Sequence, residues 1–194
     1  MIDTPFDLRP AAPGDAPALA QLIDIAGGGM PGYAWAKMAA AGETARDVGR
    51  RLVAGAVGDF SYRNAVVATL GGKVVGCLNG FPIPESPAPI DAATMPAPFL
   101  PLQELENVIA GSWFIDVVAA FPQYRNQGIG GRLLADARRR ADAAGRISLG
   151  LIVSDANAGA RRLYERHGFR AVDSRPMVKE GWVDPGRNWI LMTT

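Results

Sequence analysis

The chain has almost no cysteine: among 194 residues there is one, Cys77. A single thiol makes no internal disulfide and no thiolate metal cage. Histidine is equally scarce, and His167 alone removes most histidine-based sites, so no metal is expected. An excess of one charge is missing too. Twenty Lys and Arg against 19 Asp and Glu leave a formal net charge of +1. Nothing in that balance asks for a nucleic acid or an anionic membrane as partner. No run reaches the roughly 18 apolar residues of a membrane-spanning helix. Residues 1–10 carry Asp3 and Asp7 and no apolar stretch, unlike a secretory leader. These absences predict a cytoplasmic protein. The length suits one domain, 1–194, able to bury a real core.

What is present is a mixture of helix-period and strand-like runs. Residues 6–9 predict a short strand stopped by Pro10. Asp15 stands where its carboxylate would cap a helix striped by Leu19, Leu22, Ile23 and Ala26, which Gly27, Gly28 and Gly29 end. A second helix is predicted over 34–54, with Met38, Ala41, Ala45, Val48 and Leu52 at helical spacing. Residues 65–70 and 73–81 flank Gly71-Gly72 and predict an antiparallel hairpin with Cys77 in its second strand. Seven prolines between 82 and 101 break any helix or central strand there. Residues 82–107 are therefore expected as a proline-rich surface insert, of the kind that serves as a lid, with 102–109 adding a turn of helix or an approach strand. Residues 113–119 form an almost continuously apolar strand, as one covered on both faces should be. A helix over 128–144 follows, burying Leu133, Leu134, Ala137, Ala141 and Ala144. A strand over 147–153, a helix over 157–167 ended by Gly168, and strands at 169–172 and 188–192 complete the chain. The strand–helix–strand unit from 113 to 153 makes its two strands parallel neighbours.

The most informative run is 120–134, where a buried strand ends and Gly128, Gly130 and Gly131 open an amphipathic helix. First-turn amides lack helical partners and carry partial positive charge, and glycines let phosphates approach the backbone. With Arg125 beside it, the run predicts a pyrophosphate cradle built from main chain. A plain connecting loop has the same composition, because isolated glycine motifs are weak signals. A dinucleotide site would need a third glycine at 133, where Leu133 stands, and an acid after the second strand, whereas Asp155 lies in the loop leading to Asn157.

Arg125-Asn-Gln-Gly-Ile-Gly130 resembles the R/Q-x-x-G-x-G/A loop of the GCN5-related N-acetyltransferase (GNAT) superfamily. Asn157-Ala-Gly-Ala-Arg-Arg-Leu-Tyr-Glu-Arg-His-Gly-Phe169 resembles its N-x-x-A-x-x-L-Y-E-x-x-G-F signature, at the expected separation. The resemblance covers most of the chain and leaves the insert unexplained. It implies an α/β fold of the GNAT type: a mixed, mostly antiparallel sheet of about six to seven strands, a parallel central pair splayed apart, and helices on both faces. It implies acetyl-CoA as co-substrate, with the pantetheine arm bonded by backbone groups of Val118 and Ala120. Main-chain N–H groups of Arg125, Asn126, Gln127, Gly128, Ile129, Gly130 and Gly131 would hold the pyrophosphate. Asn157 would touch the pantetheine arm and Ala160 would allow its close approach. The implied activity is acetyl transfer to a primary amine of a small molecule or peptide, and a homodimer is a common assembly in the family. A non-catalytic CoA-binding sensor would keep the same loop and Asn157.

Transfer to an amine needs a neutral nucleophile and a proton for the leaving thiolate. Tyr164 is the candidate acid and cofactor-side contact, although its periodicity with Ala160, Leu163 and His167 equally fits a core tyrosine. Asp116 interrupts an apolar strand and is the candidate for drawing a proton from, or binding, the substrate ammonium; a salt-bridged aspartate fits as well. Glu104 and Glu106 are weaker candidates near the strand's approach. His167 suits a helix cap or core contact, and Cys77 a core residue. Tyr33, Trp35 and Met38 are candidates for an acceptor pocket or for core.

Overall fold

The computed structural model describes residues 6–194, so residues 1–5 lie outside the described residues. The elements are β1 (Asp7–Pro10), α1 (Ala16–Ala26), α2 (Met30–Met38), α3 (Ala45–Ala54), β2 (Ala65–Leu70), β3 (Lys73–Pro82), α4 (Leu100–Val108), β4 (Trp113–Ala120), α5 (Ile129–Ala143), β5 (Leu149–Ser154), α6 (Ala158–Arg166), β6 (Arg170–Pro176) and β7 (Asn188–Thr193). The seven strands hydrogen-bond in the order β1-β2-β3-β4-β5-β7-β6, with helices flanking both faces. The expected mixed, mostly antiparallel sheet is therefore present. Its chain divides into two compact units: Met1–Gly80 with Val117–Ala135, and Phe81–Asp116 with Asp136–Thr194.

In the first unit β1 pairs antiparallel with β2, and β2 with β3. The predicted hairpin closes at Leu70↔Lys73 through Gly71 and Gly72, both at positive φ, the backbone a two-residue hairpin turn demands. Leu19, Leu22 and Ile23 of α1, Val48 and Val53 of α3, Val67, Cys77, Val117 and Ala119 share one core. Ala26, expected in the α1 stripe, is exposed. Asp15 stands at the α1 N-cap without bonding a helix amide. Its carboxylate instead takes both Arg9 Nη1 (2.7 Å) and Nη2 (2.8 Å), and the Ala12 N–H at 2.8 Å. Asp15 itself has helical φ −82° and ψ −9°, and its carboxylate is engaged by groups that precede it in the chain.

The single helix expected over 34–54 is two, α2 and α3. Thr44 starts the second: its Oγ1 accepts the Asp47 N–H at 3.3 Å while Asp47 Oδ2 accepts the Thr44 N–H at 3.1 Å. That reciprocal capping box marks a helix start in the middle of an apolar period. α3 passes close over Trp35, and a Cβ at Gly49 would stand 2.6 Å from two carbons of the indole.

In the second unit β5 pairs antiparallel with β7, and β7 with β6. The parallel register of β4 with β5 runs Trp113↔Leu149, Phe114↔Gly150 and Ile115↔Leu151 and ends there, although β4 continues to Ala120 and β5 to Ser154. The insert begins and ends as a short ladder, with the Ile83 N–H donating to Ser112 O (3.0 Å) and the Gly111 N–H to Pro84 O (2.7 Å). Asn107 clamps it further, accepting the Ala88 N–H at 2.8 Å and donating to Ala88 O at 2.9 Å. Arg146 adds an ion pair to Glu85 and a bond to Gly111 O. Residues 102–109 lie mostly in α4, a full helix rather than one turn or a strand. Pro101 fits because a first-turn residue needs no N–H donor. Ala144, expected in the α5 stripe, lies beyond the helix and is exposed.

Candidate functional site

The first unit carries the residues predicted to form the cradle. Along β4, Val117 and Ala119 are buried in the core, so Val118 and Ala120, on the opposite face by strand alternation, are only half-buried. A 3-10 turn over Pro122–Tyr124 follows, then the exposed residues 125–128. Asn126 (φ 61°) and Gly128 (φ 83°) both take the left-handed conformation. Asn accepts it through local hydrogen bonding and Gly without steric cost. A Cβ at Gly128 would meet nothing within 4 Å, so the space above this backbone is open.

α5 then starts at Ile129, and the Arg132 N–H donates to Gly128 O at 3.2 Å. Helix geometry leaves the amides of Ile129, Gly130 and Gly131 ahead of that bond without i−4 partners. The Ile129 side chain is buried and would lie 2.9 Å from a Cβ at Gly76, which anchors the helix start. Arg125 bends back to donate from Nε to Ala120 O at 3.3 Å, holding its cation beside the loop. That bond also engages the Ala120 carbonyl expected to meet the pantetheine arm. The glycine opening, free helix-start amides and adjacent arginine fit a diphosphate.

The second unit carries the remaining candidates. Asn157 is the N-cap of α6, its Oδ1 accepting the Ala160 N–H at 3.1 Å. Only the Nδ2 end of the amide is thus available as a donor to a ligand. Ala160 is half-buried on the same helix. Tyr164 is buried at 7% exposure, with its ring centroid 5.9 Å from that of Phe169. Burial pushes its phenol up to about 12. Asp116 is half-buried on β4 beside buried Ile115.

Other candidates fall elsewhere. Glu104 and Glu106 lie on α4 rather than on an approach strand, and Glu104 pairs with Arg175 at 2.9 Å. Trp35 is core at 4% exposure, its ring edge-on to Phe60, whereas Met38 is 54% exposed. Tyr33 lies under the Lys37 ammonium, 4.5 Å from the ring centroid. His167 is exposed and its Nδ1 lies 2.9 Å from Leu163 O, a contact at the helix end. Cys77 is fully buried in β3. Among the described residues no three His, Cys, Asp or Glu side chains cluster to hold a metal, and no helix is long and apolar enough to cross a membrane.

Asp155 is the residue whose role the sequence did not suggest. Its carboxylate accepts the Arg187 N–H (2.9 Å), the Asn188 N–H (3.0 Å) and Asn188 Nδ2 (3.0 Å). Its position two residues before a helix-capping Asn was the only signal.

A parallel β4–β5 pair in a mostly antiparallel sheet, a glycine-opened helix after the first of its strands and an Asn-capped helix after the second characterise this α/β fold. The model of the acetyltransferase (GNAT) family matches residues 43–169, and the chain belongs to that family. No curated protein matches it. Among solved structures, an acetyltransferase superposes with a TM-score of 0.64 at 22% identity, covering 96% of this chain and 97% of the other. An N-acetyltransferase from Staphylococcus aureus Mu50 gives 0.63 at 16% identity, over 97% and 100%. An acetyltransferase of the GNAT family from Streptococcus pneumoniae gives 0.59 at 21% identity, over 98% of each. At these identities the likeness is one of fold.

Proposed function

We propose that the chain is an N-acetyltransferase that moves the acetyl group of acetyl-CoA to a primary amine of a small molecule or peptide by direct attack. The observation that carries this is the helix start at Gly128 to Gly131, whose first-turn amides lack i−4 partners, beside a restrained Arg125, in a chain of the acetyltransferase family. In the first unit, amides from Arg125 to Gly131 bind the diphosphate, and backbone groups of Val118 and Ala120 meet the pantetheine amides. In the second unit, Asn157 is the donor from Nδ2 to pantetheine, and Ala160 leaves room beside it.

The amine nitrogen attacks the thioester carbonyl, the C–S bond breaks, and sulfur leaves as thiolate. Tyr164 faces that charge with a phenol at about 12. Against a thiol of roughly 8.5, full transfer of the phenolic proton is uphill. Tyr164 therefore acts as a hydrogen-bond donor to the developing thiolate, and the proton that ends on sulfur comes from the amine. Asp116 binds the substrate ammonium and draws its proton before attack, directly or through water.

Release of free thiol from acetyl-CoA in the presence of a panel of primary amines tests the activity. Acceptor-dependent release supports it. Tight CoA binding with no release from any acceptor supports a CoA-binding sensor instead.

A further inference from the structure

We propose that Asp155 is a positioning residue for acetyl-CoA binding: it pins the β5–α6 turn so that Asn157 presents its side-chain amide to the pantetheine arm. This rests on the donor site proposed above. Asn157 sits at φ −83°, ψ 64°, and the Ala158 N–H donates to Ala156 O at 2.9 Å across it. Those are the marks of an inverse γ-turn, a single-bond conformation found at strand ends. Asn157 is exposed, so little packing holds its side chain. Its neighbours supply the restraint.

The Asp155 N–H donates to Asn188 O at 3.0 Å, and its carboxylate gathers three donors from Arg187 and Asn188 at the start of β7. One residue thus makes four bonds to a segment remote in sequence. The Asn157 N–H closes the turn on Ser154 O at 3.0 Å, and Ser154 Oγ donates to Asp184 at 3.0 Å. Gly186 passes so close that a Cβ there would lie 2.2 Å from Ser154 Oγ and 2.8 Å from Asp155 Oδ1. Burial works against the Asp155 charge, but the surrounding N–H donors hold its carboxyl below the ordinary 3.8. A carboxylate that takes several donors at once is a strong, directional clamp.

A double-mutant cycle read by calorimetric titration with coenzyme A separates positioning from general stability. Asp155→Ala is expected to weaken binding about tenfold, roughly 1.4 kcal/mol. Asn157→Ala is expected to do the same, and the double variant to bind no worse than Asn157→Ala alone, because residues acting through one contact are not additive. Should Asp155→Ala fail to fold, Asn188→Ala removes one donor from the carboxylate and is scored identically: weaker binding, lost in the Asn157→Ala background. Unchanged affinity, or losses that multiply in full, overturns the role. No uptake by folded wild-type chain overturns the donor site along with it, whereas uptake by wild type with unchanged Asp155→Ala overturns this role alone.

Discussion

Asn157 caps α6 with one end of its side-chain amide, Oδ1 accepting the Ala160 N–H at 3.1 Å, which leaves the Nδ2 end to donate elsewhere. The two ends can be separated by mutation. Asn157→Asp keeps the cap, since Asp caps as well as Asn, and removes the donor. The melting temperature is expected to stay within about 2 °C while CoA affinity falls about tenfold, the weight of one lost hydrogen bond. Equal affinity, measured by titration, would remove Asn157 from the donor site.

Tyr164 is buried against Phe169 with its phenol raised to about 12. Tyr164→Phe should leave CoA binding within about twofold and lower kcat about tenfold or more, because only the transition state carries charge on sulfur. The raised phenol also predicts that no fall in rate from Tyr164 ionisation appears up to about pH 10. A kcat equal to wild type would mean that Tyr164 is a core residue only.

How far these roles were visible beforehand differs from residue to residue. Gly71-Gly72 between two β-rich runs announced its hairpin, and the apolar run from Trp113 announced a covered strand. The break between α2 and α3 was hidden because Thr44 and Asp47 box a helix start inside an uninterrupted apolar period. α4 was obscured by prolines, yet Pro98 and Pro101 sit in first turns, where proline is welcome. The glycine loop was legible as a motif. Tyr164 was not legible from period alone, since a core tyrosine and an acid share one helix face. Asp155 escaped because its partners, Arg187 and Asn188, lie more than thirty positions away.

Gly49 lets α3 cross Trp35, where a Cβ would stand 2.6 Å from the ring. Alanine normally strengthens a helix by about 1 kcal/mol over glycine. Here overpacking costs about 1–3 kcal/mol and wins. Thermal unfolding of Gly49→Ala is expected about 2–5 °C below wild type. A higher midpoint would show that the indole yields freely.

The Arg9 guanidinium, by its hydrogen bonds, holds the Asp15 carboxyl below its ordinary 3.8. A depressed folded-state value contributes stability above the unfolded value and loses it as pH falls through the folded one. Wild type should therefore lose stability faster than Asp15→Asn as pH drops from about 5 toward 2. Parallel denaturation curves across that range would show that the pair contributes nothing.

Calorimetric titration of the folded chain with acetyl-CoA tests the central claim most directly, using Gly130→Trp as its partner. Saturable one-to-one uptake by wild type, abolished by an indole filling the amide cradle while the far-ultraviolet circular dichroism is kept, is the predicted result. Absence of uptake by folded wild type, or unchanged uptake by Gly130→Trp, would contradict it.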